Sequence, residues 1–180
     1  MLRTWSLVDL DQKLQRQLSL LFLILICLVT FLGSNNLTAQ DFEYVGSKKC
    51  KMCHNKDAKG AQYKQWVESK HAKAMESLNA EEAKDPTCLK CHSTHGSVDP
   101  DLVLTLKVEE GVSCESCHGP GSKYYPSGIM KSREKAMAKG LILPTKEVCV
   151  ECHNEKSPHF KGFNFDEYVK LITHPAPTLD

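Results

Sequence analysis

Eight of the nine cysteines in this 180-residue chain stand in four copies of one five-residue frame. The copies are Cys50-Lys51-Met52-Cys53-His54, Cys88-Leu89-Lys90-Cys91-His92, Cys114-Glu115-Ser116-Cys117-His118 and Cys149-Val150-Glu151-Cys152-His153. Two thiols three positions apart lie on one side of a helical turn, and the histidine that follows sets an imidazole beside them. The chemistry that uses all three groups is haem attachment. Each thiol adds to one vinyl group on the same edge of a porphyrin, and the histidine becomes the proximal iron ligand. Paired C-x-x-C units also close structural zinc sites, and eight cysteines in an exported chain could form four disulfides. Neither alternative needs a histidine after every second cysteine. The expectation is therefore four covalently bound haems c, with His54, His92, His118 and His153 as proximal ligands.

Four more histidines lie outside the frames: His71, His95, His159 and His174. They are the candidates for the distal side of each iron. His71 shares a face with Tyr63, Trp66, Val67, Ala74, Met75 and Leu78, and in a chain this poor in core that face has only haems to pack on; the alternative is a satisfied core histidine. His95 follows His92 by three residues, too near to reach the same iron, so it is expected on a neighbouring haem; the alternative is a solvent-facing histidine before Gly96. His174 follows a short amphipathic stretch and precedes Pro175, with a frayed terminal histidine as the alternative. His159, between Pro158 and Phe160, is read as a ligand, as lining an open haem face, or as exposed. Nothing in the placement of Met52, Met130 or Met137 recommends them over histidine.

The elements that position these groups are short. The spacing predicts helices over 58–78, 132–139 and 166–173, an extended piece over 99–108, and a turn at Gly119-Pro120-Gly121 that brings backbone close to a porphyrin face. Motif starts lie 38, 26 and 35 residues apart, so each haem has about one helix or loop of its own. The fold class expected is mainly α: short helices and loops wrapped around four haems, with little or no β-sheet. Haem, more than side chains, would form the core, and the apo-chain should not fold.

Ahead of this domain, Arg3, Lys13 and Arg16 precede an apolar run over 18–32, followed by Gly33, Ser34 and a small, polar stretch to Ala39 and Gln40. That pattern predicts a secretory signal peptide over 1–40 and a tetrahaem domain over 41–180. An uncleaved anchor is the alternative, although about 15 apolar residues is short for a span. Cys27 inside the run lacks the small neighbours of a lipidation site. Residues 41–180 carry 20 Lys+Arg against 20 Asp+Glu, with no basic run of the kind that binds nucleic acid.

Four stretches carry a resemblance. They are Tyr44-Val-Gly-Ser-Lys-Lys-Cys50, Trp66-Val-Glu-Ser-Lys-His71-Ala72, Gly111-Val-Ser-Cys114-Glu-Ser-Cys117-His118-Gly-Pro-Gly121, and Cys152-His-Asn-Glu-Lys-Ser-Pro158 running on to Ile172-Thr-His174-Pro175. In them the chain resembles the cytochrome c-554 family of tetrahaem cytochromes. The resemblance implies stacked haem pairs, bis-histidine ligation at three irons and an open fourth. It carries over His71, His95 and His174 as distal ligands and leaves His159 unmatched. The family member that gives its name accepts electrons from a hydroxylamine-oxidising enzyme, and its open haem can react with nitric oxide; this chain is shorter, so neither that partner nor that chemistry follows from the resemblance.

The function expected is transfer of electrons between redox partner proteins in the periplasm or outside the cell, through weak and transient encounters. Two other readings stay open: a nitrogen oxide reductase at one five-coordinate haem, and a conducting subunit of a larger complex or self-assembled filament. A membrane partner is expected only if the N-terminal segment is retained.

Overall fold

The structure, a computed structural model, describes residues 12, 14–24 and 42–174. The chain forms two compact units, 1–40 and 41–180. In the first, residues 14–24 are helical with exposed leucines. No helix among the described residues is long and apolar enough to cross a membrane. Cys27 and the expected leader junction at Ala39 and Gln40 lie outside the described residues.

The second unit is built from short helices: α1 (Ser47–His54), α2 (Gln62–Glu68), α3 (Pro86–His92), α4 (Thr94–Ser97), α5 (Cys114–His118), α6 (Ser127–Met130), α7 (Arg133–Met137), α8 (Lys146–Val150) and α9 (Phe165–Ile172). Single 3-10 turns link several of them. Among the described residues there is no sheet, only an isolated parallel bridge between Tyr44 and Val103. This is the mainly helical class the sequence predicts.

Local chemistry accounts for several boundaries. Asp85 caps α3 by accepting the Thr87 N–H at 2.7 Å, and Pro86 takes the first helical position, where no N–H is needed. Ser132 caps α7 by accepting the Lys135 N–H, and the chain turns away at Gly140, where φ is +98°. Asp166 and Glu167 in the first turn of α9 complement its dipole.

The helix expected over 58–78 is broken. Gly60 and Ala61 both adopt left-handed backbone (φ +91° and +50°) before α2, and Ser69 is extended after it. Ser69 Oγ then accepts the Ala72 N–H at 3.3 Å, so a side chain takes the place of a helical carbonyl and ends the run. His71 consequently sits in a turn rather than on a helix face. The segment expected to be extended over 99–108 carries 3-10 turns at Pro100–Leu102 and Val108–Glu110, with the bridge at Val103 between them.

Among the described residues only Val45, Leu106, Tyr124 and Ala136 are buried apolar side chains. The largest fully buried side chain is Glu115. So little apolar burial cannot offset the conformational entropy of ordering a domain this size, so a large apolar group must complete the interior.

Candidate haem-binding site

Each frame occupies the end of a helix. In α1, α3 and α5 the histidine is the last helical residue; in α8, Cys149 lies in the final turn and the His153 N–H reaches back to its carbonyl at 3.0 Å. One helical turn therefore separates the two thiols of every pair and turns both to one side. None of the eight thiols is in a disulfide. Among the described residues no group of three or more His, Cys, Asp or Glu converges on a metal-ion position.

Three of the four motif imidazoles have their Nδ1 engaged. The amide of Gln62 donates to the Lys59 carbonyl at 2.7 Å and turns its Oε1 toward His54 Nδ1 at 3.1 Å. His92 Nδ1 faces the Ala74 carbonyl at 3.0 Å and Ser77 Oγ at 3.2 Å. His118 Nδ1 faces the Ile142 carbonyl at 3.0 Å. A carbonyl only accepts, so these bonds assign the proton to Nδ1 and leave Nε2 with its lone pair for a metal. His153 is positioned differently: Phe163 stacks on it at 4.7 Å, and Tyr168 stacks on Phe163 at 5.5 Å.

Two of the histidines outside the frames face motif histidines. The ring centroids of His71 and His153 are 6.0 Å apart, and those of His118 and His174 are 5.8 Å apart. Both rings of a pair are too far apart to touch. An iron bound at about 2 Å from one nitrogen of each ring would hold the centroids about 6 Å apart. Burial lowers the pKa of His71, His118 and His153 below the ordinary imidazole value, and neighbouring imidazoles add to this at His71 and His118. All three are thereby kept in the neutral, ligating form. The donor set and the spacing fit haem iron.

His95 is half-buried on α4, and His159 is exposed. Among the described residues neither forms a ring pair with another histidine. Ser93, extended between α3 and α4, turns His95 out of register with His92. The residue just before it, Thr94, places its Oγ1 2.6 Å from Ser116 Oγ in the third motif and accepts the Ser113 N–H at 2.6 Å.

The attachment cysteines also approach one another across motifs. The Cys50 thiol, with burial, raises the pKa of Cys114, and burial and the Cys91 thiol raise that of Cys152. Burial, then Cys149, pushes the Cys117 thiol up to about 11, and Cys152 likewise feels Cys117. The third motif thus adjoins the first and the fourth, and the fourth adjoins the second.

Sequence reasoning missed the groups that lock this arrangement. Glu115 is 2% exposed; its carboxylate accepts the N–H groups of Val45 (2.9 Å), Gly46 (2.8 Å) and Gly121 (2.7 Å), tying the approach to the first motif onto the third. Trp66 Nε1 donates to the Val112 carbonyl at 2.9 Å, while the Val112 N–H donates to the His71 carbonyl at 2.9 Å. The Gly119–Gly121 turn is close-packed: a Cβ at Gly119 would meet the Gly140 carbonyl at 2.9 Å, and one at Gly121 would meet Glu115 and Val45 at 2.9 Å.

Comparison with known proteins agrees with this chemistry. A family model described as "Cytochrome c554 and c-prime" matches residues 49–119. The chain is 31% identical over 193 aligned residues to cytochrome c-554 of Nitrosomonas europaea, covering 78% of this chain and 78% of that protein. No solved structure matches.

Proposed function

This chain belongs to the cytochrome c-554 family and is a c-type cytochrome electron carrier with covalently bound haem c; on that premise we propose that it holds four haems, three of them bis-histidine, and passes electrons between redox proteins outside the cytoplasm. Bound haem supplies a one-electron couple whose potential is lowered by histidine on both sides. The observation that carries the reading is the pair of imidazole gaps, His71 to His153 and His118 to His174. Two nitrogen ligands that stay bound in both oxidation states keep reorganisation small.

With those two pairs assigned, His95 remains for the iron under His54. Its support is the Thr94–Ser116 contact, which ties α4 to the motif that abuts Cys50. His92 then ligates the iron left open on its far side, and His159 serves no iron. That assignment supports a second reading, binding of a small ligand such as nitric oxide at the His92 haem. The apolar run and small residues before 41 support export. The encounters with partners are transient, involve no nucleic acid, and involve a membrane only through a retained leader; self-assembly would use the spare, exposed His159. Low-temperature electron spin resonance of the oxidised protein tests the scheme. Three low-spin irons to one high-spin iron is expected, and four of either kind would refute it.

A further inference from the structure

We infer that the lysine-rich face around the first motif is the docking surface for an acidic redox protein, one whose own cofactor edge is rimmed by Asp and Glu. The inference rests on the haem attachment proposed above. Residues 48–64 carry six lysines and one carboxylate, Asp57, which Lys64 already neutralises at 2.9 Å. Residues 123–139 add four lysines and one arginine against Glu134 alone. The two segments adjoin, since Lys49 Nζ lies 5.8 Å from the centre of the Tyr125 ring. Between them in sequence, residues 65–122 carry ten carboxylates and five lysines. The near-neutral total therefore hides an uneven distribution of charge along the chain.

Of these lysines Lys64 is ion-paired, and Lys49 and Lys51 lie over the rings of Tyr125 and Tyr63. Among the described residues the only ion pairs are Lys64–Asp57 and Lys73–Glu68. Lys48, Lys51, Lys56 and Lys59 are exposed around Cys53, which is itself exposed, and Met52, which is 60% exposed. An attachment edge thus reaches the surface within a ring of cations. A cationic ring of this kind steers an anionic partner and orients its redox centre toward the exposed edge. A membrane surface fits less well, because firm interfacial binding needs an apolar face to insert, and Met52 is the single large apolar side chain exposed on α1.

The experiment is stopped-flow reduction of the holoprotein by flavodoxin hydroquinone, an acidic protein, and by dithionite, at low and high salt. Wild type is compared with Lys48→Glu/Lys56→Glu/Lys59→Glu and with a control, Lys146→Glu/Lys156→Glu/Lys161→Glu. The first variant should slow flavodoxin at least about tenfold at low salt and abolish most of the salt dependence. The control should stay within about twofold, and dithionite should reduce all three proteins at similar rates. Equal slowing by both variants, or no slowing by the first, overturns the docking surface. So does a first variant that keeps its flavodoxin rate but no longer co-sediments with phosphatidylserine vesicles, which would make the face a membrane contact. A protein purified without covalent haem would react with neither reductant, and that result sinks the haem reading itself.

Discussion

His71 and His153 face one another with ring centroids 6.0 Å apart and ring planes inclined at 57°. The two come from distant parts of the chain, and the turn carrying His71 is pinned by the Val112 N–H on its own carbonyl. Replacing His71 by Ala removes one imidazole from this gap and leaves the thioether cysteines intact. The expected result is conversion of one low-spin iron to high-spin, read by electron spin resonance, with haem content unchanged. An unaltered spectrum would show that His71 serves no iron.

The same logic distinguishes the remaining histidines. His174→Ala should convert one further iron, because its ring stands 5.8 Å from that of His118. Combined with His71→Ala, it should convert two. His159→Ala should leave the spectrum of the parent protein unchanged, since His159 is exposed. A new high-spin signal in that variant would require a different assignment of the distal ligands.

Glu115 links the first and third motifs through three backbone N–H groups. The substitution Glu115→Gln would turn an amide N–H toward the Gly46 N–H or leave another donor unmet, at a cost of about 1–3 kcal/mol. Chemical denaturation of the holoprotein measures this. Burial raises the pKa of Glu115 above its ordinary value of 4.5, with its three hydrogen bonds opposing and Glu110 adding to the rise. The folded state therefore favours the protonated carboxyl. That contribution is fully present below pH 4.5 and is lost as pH rises through the raised value. Glu115→Gln should remove this part of the pH dependence; an identical pH profile in both proteins would count against it.

Gly111 has φ +62°, and a Cβ there would meet the carbonyl oxygens of His71 and Ala72 at 2.7 Å. Gly111→Ala is thus strained by backbone and by contact, at about 1–3 kcal/mol. Because the clash falls on the His71 turn, the variant should also show a larger high-spin fraction than the parent at room temperature. Lost stability with an unchanged high-spin fraction would separate Gly111 from the placement of His71.

Much of the site is legible in the sequence because its chemistry is local. Cys88, Cys91 and His92 sit within one turn of helix, so their spacing alone places them together, and the same holds for the other three frames. The amphipathic period before His174 correctly predicts α9, whose hydrophobic residues follow a helical repeat. The pairing of His71 with His153 is not legible, because it depends on how two remote turns meet. Periodicity likewise overextends α2: Trp66, Val67, Ala74 and Met75 keep a helical repeat across a break imposed by Gly60, Ala61 and Ser69. Glu115 looks like a solvent-facing filler between two cysteines, and only the approach of Val45, Gly46 and Gly121 makes it a buried anchor. The tandem of Gly119 and Gly121 is the one local hint that backbone closes on it.

The intact mass of the mature protein, measured after denaturation has stripped every non-covalent ligand, tests four-site attachment most directly. The expected value is the mass of the polypeptide plus four haems, with iron as the only metal. A mass equal to the bare polypeptide, or to the polypeptide with fewer than four haems, would contradict it.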